Sequence, residues 1–128
     1  MDEKIEHLFE KTLDTTPIFE GRVVRLHRDT VLLENGEKAM REVIEHSGGV
    51  CVLPLTENNE ILFVRQFRYP FKSVLLEIPA GKREKGEEPL ACGIRELKEE
   101  VGATAEKITC LGKLYPTVAY DTEVIYMY

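Results

Sequence analysis

Residues 81–103 read GKREKGEEPLACGIRELKEEVGA, and Glu96, Glu99 and Glu100 fall at positions i, i+3, i+4 within them. Pro89 suits the first turn of a helix and Gly102 its stop, so the stretch predicts a helix with three carboxylates in its last two turns. Like charges at this spacing cost about 0.2–0.5 kcal/mol per pair. Carboxylates at the negative end of the helix dipole lose roughly 0.3–1 kcal/mol each. A helix selected for stability alone would carry Lys or Arg there. Leu90, Ile94, Leu97 and Val101 make an apolar stripe without help from the glutamates. Glu96 lies about 100° from that stripe, so the acidic cluster is expected to edge the buried face. Three oxygen donors, with no imidazole or thiolate among them, point to a hard divalent ion, Mg²⁺ or Mn²⁺, with water in the remaining positions. A solvated acidic face is the competing reading of a bare ExxEE.

The surrounding residues decide between the two. Gly81, five residues, Glu87, seven residues, Arg95-Glu96-Leu97, one residue, Glu99-Glu100, one residue and Gly102 resemble the Nudix box of the Nudix hydrolases. That family cleaves nucleoside diphosphates linked to another moiety. Ala103 departs from the bulky aliphatic residue usual at the last position. Leu76–Lys82 and Val64–Tyr69 look like the ADP-ribose pyrophosphatase branch. The resemblance implies that Glu96 and Glu100 are metal ligands, that Glu99 is a ligand or its close neighbour, and that the Ala80 carbonyl joins them. It also implies that Arg95 pairs with Glu87 to hold loop on helix. The chemistry implied is attack by water on a diphosphate phosphorus, with the carboxylates serving metal first and one of them serving the water.

Substrate contacts are implied by the same resemblance. Arg68 matches a position that contacts the nucleotide diphosphate, with a plain surface salt bridge as its rival. Glu77 would bind ribose or a pocket water, or pair at the edge of the core. Glu123 matches a glutamate that follows a Ser-Pro-Gly-like turn, but here that turn reads Thr117-Val118-Ala119-Tyr120. The substrate class is therefore ADP-ribose or a related nucleoside diphosphate sugar, GDP-mannose included. A nucleotide-binding module without turnover is the alternative, and a non-catalytic structural fragment a third.

At 128 residues and 43% hydrophobic content the chain suits one core, with no apolar run near the roughly 20 residues of a membrane helix. The formal net charge of −6 argues against a nucleic-acid surface. Cys51, Cys92 and Cys110 show no CxxC pairing, and the opening MDEKIEHLFEKTL has no secretory h-region. Together these point to reduced thiols and a cytoplasmic protein.

Ile5, Leu8, Phe9 and Leu13 predict a short amphipathic helix. From Pro17 the chain reads as strands over 18–26, 31–34 and 38–45, with Asn35-Gly36 a two-residue hairpin signal. Further strands are expected over 50–55, 61–67, 74–78, 108–115 and 123–128. The fold class is α+β, an α/β/α Nudix-type sandwich with a mixed sheet, preceded by an N-terminal antiparallel β ribbon. Residues 1–46 form the helix and ribbon, which the resemblance makes a homodimerisation element. Residues 47–128 form the catalytic domain. The sequence stops within an apparent core strand, Ile125-Tyr126-Met127-Tyr128, so its C-terminal part is expected to be missing.

Overall fold

A computed structural model describes residues 3–128. Its contacts divide the chain into two units, one running up to His46 and including Thr117–Glu123, the other comprising Ser47–Pro116 and Val124–Tyr128.

The first unit is an antiparallel sheet of β1 (Lys11–Glu20), β2 (Val24–Leu32) and β3 (Lys38–His46), in that order. The expected helix through Leu13 is not what forms. A 3₁₀ turn covers Glu3–Leu8, and the chain is extended from Lys11, with Lys11 opposite Leu32 and Thr12 opposite Val31. An isolated helix this short is marginal in water, whereas pairing with β2 satisfies the backbone, and Thr12, Thr15 and Thr16 favour extended structure. The single strand read over 18–26 is also two strands. Gly21 donates its N–H to the Val24 carbonyl at 2.9 Å, turning the chain between β1 and β2.

The hairpin at Asn35-Gly36 forms with a three-residue loop rather than two. Leu33 N–H donates to Glu37 O, Gly36 N–H donates to Leu33 O, and Gly36 takes φ +82°. A type I turn followed by a left-handed residue needs glycine at that last position. Residues 117–123 join β3, where Ile44 N–H donates to Tyr120 O at 2.7 Å and Thr122 N–H to Ile44 O at 2.9 Å.

In the second unit the chain runs β4 (Gly49–Cys51), β5 (Val64–Arg68), β6 (Ser73–Glu77), β7 (Ala80–Lys82), α1 (Pro89–Val101), β8 (Gly112–Leu114) and β9 (Ile125–Met127). The strands expected over 50–55, 108–115 and 123–128 are thus shorter than read. β5 and β6 pair by themselves. The other four form a mixed sheet ordered β7-β4-β9-β8, with β4 antiparallel to β7 and parallel to β9. This is the expected α+β class, and α1 is the single α-helix among the described residues.

α1 begins and ends where its punctuation predicts, with Pro89 in the first turn and Gly102 at φ +66° donating to Lys98 O. Its buried face differs from the expected stripe. Cys92, Gly93 and Leu97 are buried, whereas Leu90 and Ile94 are about half exposed. The inner face is rotated toward Glu96 because α1 packs on β4 and β7. There Gly93 faces Val50 and Val52, at a distance where a Cβ would already be tight. A small residue lets helix and sheet approach closely, and that approach selects the face.

Candidate active site

The β4–β7 register sets Ala80 opposite Cys51 and Gly81 opposite Val50, a fully buried residue. This brings the loop 80–88 onto α1, and one side chain ties the two together. Arg95 donates from Nε to Glu87 Oε1 at 2.8 Å and from Nη2 to Glu87 Oε2 at 3.0 Å, a bidentate pair. Nη2 also reaches the Lys82 carbonyl at 3.2 Å. Glu87 Oε2 accepts the Glu84 N–H at 2.9 Å. The Arg95 guanidinium, then the Glu84 amide, hold the Glu87 carboxyl down at about 2, and Glu87 in turn raises Arg95. Cys92 lies beneath this clamp, with its Sγ 3.6 Å from Lys82 O and 3.7 Å from Arg95 Nη2. Burial, then the Glu87 charge, push its thiol up to about 11, so it is an inert S–H. The sequence marked Cys92 only as a reduced thiol; the signal for its place under the clamp was its position three residues before Arg95.

The three carboxylates of α1 behave differently. Glu96 is 12% exposed in its side chain and lies against Gly81, where a Cβ would overlap its carboxylate. Its Oε1 accepts from Arg95 Nη1 at 2.9 Å. Glu100 Oε2 accepts the Ala80 N–H at 3.4 Å. Burial first, then the nearby Glu96 charge, raise the Glu100 pKa against the lowering effect of the Ala80 amide. Glu99 is 58% exposed and sits 3.1 Å from Arg95 Nη1, an i,i+4 contact worth about 0.3–0.5 kcal/mol. Among the described residues no three His, Cys, Asp or Glu side chains stand together as an ion-holding group. The donor chemistry nonetheless fits a hard divalent cation. Glu96 and Glu100 crowd one another, all donors are oxygen, and the lack of a side chain at Gly81 leaves the room that the Glu96 carboxylate takes up.

Arg68 and Glu77 are joined across the β5–β6 hairpin, with Nε to Oε2 at 2.7 Å. Glu77 is the main cause of the raised Arg68 pKa, and Glu100 adds to it, so this pair stands within electrostatic reach of Glu100. Arg68 likewise lowers Glu77. Ala80, Glu87, Arg95, Glu96, Glu99, Glu100, Arg68 and Glu77 therefore all lie in the second unit. Glu123 belongs to the first, where its Oε1 is 3.7 Å from His46 Nδ1 and its N–H donates to Asp121 Oδ1.

Comparison with known proteins bears on what this arrangement does. Residues 45–128 match the NUDIX domain. The chain is 41% identical over 124 residues to the ADP-ribose pyrophosphatase of Bacillus subtilis (strain 168), covering 97% of this chain and 67% of that one. It is 43% identical over 119 residues to the methanol dehydrogenase activator of Bacillus methanolicus, covering 93% and 64%. The solved structure of an ADP compounds hydrolase superposes with a TM-score of 0.82 at 23% identity over 92% of this chain and 64% of that one, a likeness of fold. The chain thus spans about two thirds of the length of these proteins.

Proposed function

Because the chain belongs to the Nudix hydrolase family, we propose that it hydrolyses the diphosphate of ADP-ribose or a related nucleoside diphosphate sugar. Water adds to one phosphorus, the bridging P–O bond breaks, and a nucleoside monophosphate and a sugar phosphate leave. The observation that supports this most is the convergence of Glu96 on Gly81 and Glu100 on the Ala80 amide, with Arg95 and Glu87 holding loop to helix. Glu96, Glu99, Glu100 and the Ala80 carbonyl would hold a divalent cation, Mg²⁺ or Mn²⁺. Bound there, it supplies neutralisation of phosphate charge and a lowered pKa for the attacking water.

The residues of the chain do the rest. Arg95 and Glu87 keep the Ala80–Lys82 backbone against α1, which fixes where the diphosphate meets the carboxylates. Glu100, with its raised pKa, and Glu99, far more exposed than Glu96, are the groups suited to take the proton from water. Glu77 occupies Nε and Nη2 of Arg68, and Nη1 is the group assigned to a phosphate or base. Glu123 is assigned to the substrate on the family match.

We also assign a homodimer built through the first unit, supported by β1, whose Leu13, Ile18 and Phe19 are exposed along an edge strand. Cytoplasmic location fits three free thiols. Among the described residues no helix is long and apolar enough to cross a membrane, and the net charge of −6 disfavours nucleic acid.

The test is Mg²⁺-dependent hydrolysis of ADP-ribose, GDP-mannose, NADH, diadenosine polyphosphate and 8-oxo-dGTP, run beside Glu99→Gln and Glu100→Gln. Turnover of a nucleoside diphosphate sugar that either variant abolishes is the expected result. Mg²⁺ and ADP-ribose binding without turnover would leave a nucleotide-binding module instead.

A further inference from the structure

We propose that Arg83, Lys113 and Tyr126 form a binding site for a small phosphate dianion, free or carried as a monoester. The site is independent of the reading given to the carboxylates of α1.

The three residues meet at the end of one row across the mixed sheet. Lys113 stands opposite Tyr126, Tyr126 beside Val50, and Val50 opposite Gly81, through β8, β9, β4 and β7. Register partners share a face of the sheet. Gly81 and Val50 identify that face as the one under α1, since a Cβ on Gly81 would meet Glu96 and one on Gly93 would meet Val50. α1 packs on β4 and β7. Farther along the row, the half-buried Tyr126 meets two cations. Arg83, itself half-buried, places Cζ 5.6 Å from the centre of the Tyr126 ring, and Lys113 Nζ lies 5.2 Å from it.

These cations lack the partner that others in the chain have. Arg25, Arg41, Arg68 and Arg95 are each paired with a glutamate. Arg83 donates from Nε to the Glu87 carbonyl at 3.1 Å. Among the described residues its Nη1 and Nη2, the Lys113 ammonium and the Tyr126 hydroxyl have no hydrogen-bond or ion-pair partner. The Glu87 carboxylate is taken by Arg95, and Glu88, whose charge acts together with that of Arg83 on Tyr128, pairs with neither cation. A ring face attracts a cation but accepts few of its N–H bonds. Two cations drawn to one ring from different segments also repel each other, and a dianion between them reverses that repulsion. A guanidinium presents parallel N–H groups to two oxygens of a phosphate, an ammonium takes a third as a point charge, and the phenol hydroxyl donates to the same group. Three side chains suit a small phosphate and not a polymer, in keeping with the net charge of −6.

Isothermal titration calorimetry of the full chain in metal-free buffer, with inorganic phosphate and ribose 5-phosphate as probes, tests this. The expected result is saturable binding that weakens about tenfold or more in Arg83→Gln and in Lys113→Gln. Lys107→Gln, which removes the same charge from an exposed position, should bind as wild type does. Either probe binding in this way upholds the site, and the tighter one tells whether the phosphate arrives free or on a sugar. Thermal unfolding checks that the variants fold; Lys113 is exposed, so Lys113→Gln carries the test if loss of the Glu87 carbonyl contact unfolds Arg83→Gln. No saturable binding of either probe, or wild-type affinity in Lys113→Gln, overturns the proposal. Binding lost in Arg68→Gln but kept in the other two variants places the phosphate at Arg68 and overturns it as well. The hydrolase reading stands or falls separately, on turnover of the nucleotide panel.

Discussion

Gly81→Ala isolates the role of the cradle under Glu96. The backbone of Gly81 is not in the left-handed region, so alanine adds no conformational strain of its own. The added Cβ would overlap Cδ, Oε1 and Oε2 of Glu96 at once. The carboxylate must leave, because the Cβ is rooted in β7, which is paired with β4 through the Gly81–Val50 register. The displaced group is the far end of a flexible side chain, so the stability cost is small, about 1 kcal/mol, and a domain of this size loses roughly 3–5 °C in Tm per kcal/mol. Function should suffer more than stability. Glu96 would lose its 2.9 Å bond from Arg95 Nη1 and its place beside Glu100, and a displacement of about 1 Å at a reacting site costs on the order of 10²-fold in rate. The assay pairs thermal unfolding with Mn²⁺ titration and kcat on the best substrate of the panel. Gly86→Ala is the control, since it meets nothing within 4 Å and carries only the left-handed strain of its φ of +77°, about 1 kcal/mol. The expected result is a Tm lowered by a few degrees in both variants, with ion affinity and kcat lost in Gly81→Ala alone. Wild-type affinity and kcat in Gly81→Ala would refute the reasoning, because the Glu96 carboxylate could then act from another position.

The remaining predictions concern charge and surface. Glu87 has its folded pKa depressed to about 2 from 4.5, so its contribution to stability is complete above pH 4.5 and declines as pH falls toward 2. The Tm gap between wild type and Glu87→Gln should accordingly close over that interval in a pH series of melts; a gap constant from pH 5 to 2 would contradict the clamp. Glu100 has a raised folded pKa, so stability falls as pH rises above 4.5 through it. Glu100→Gln should therefore melt higher than wild type at pH 7 without ions and match it near pH 4, and a lower Tm at pH 7 counts against the crowding of Glu96 and Glu100. Arg68→Gln removes a partly exposed pair worth at most about 1 kcal/mol, so Tm should hardly move while KM rises about tenfold or more; an unchanged KM would remove Arg68 from the substrate site. Phe19→Asp on β1 should convert a dimer to a monomer in sedimentation velocity, and a dimer that persists would put the interface elsewhere.

What the sequence determined by itself was local. The ends of α1 follow from Pro89 and Gly102, because one supplies a backbone already suited to a first turn and the other tolerates the left-handed stop. The hairpin at Gly36 was legible for the same reason, although its loop length was set by the pairing around it. The pairing of Glu87 with Arg95 was implied by the family resemblance rather than by spacing, and the two side chains do meet. The tertiary structure decided everything that depended on what lay opposite. Leu90 and Ile94 read as core, yet the buried face turned toward Cys92, Gly93 and Glu96, because a glycine let α1 settle closely on Val50 and Val52. Residues 11–13 read as helix and became strand, because β2 offered a complete row of backbone partners. The three glutamates share one spacing, but their charges differ in burial and partner. One rests on a glycine, one on a backbone amide and one on an arginine. Spacing along a helix is fixed by its pitch, whereas burial and counter-charge depend on the strand and loop packed across from it.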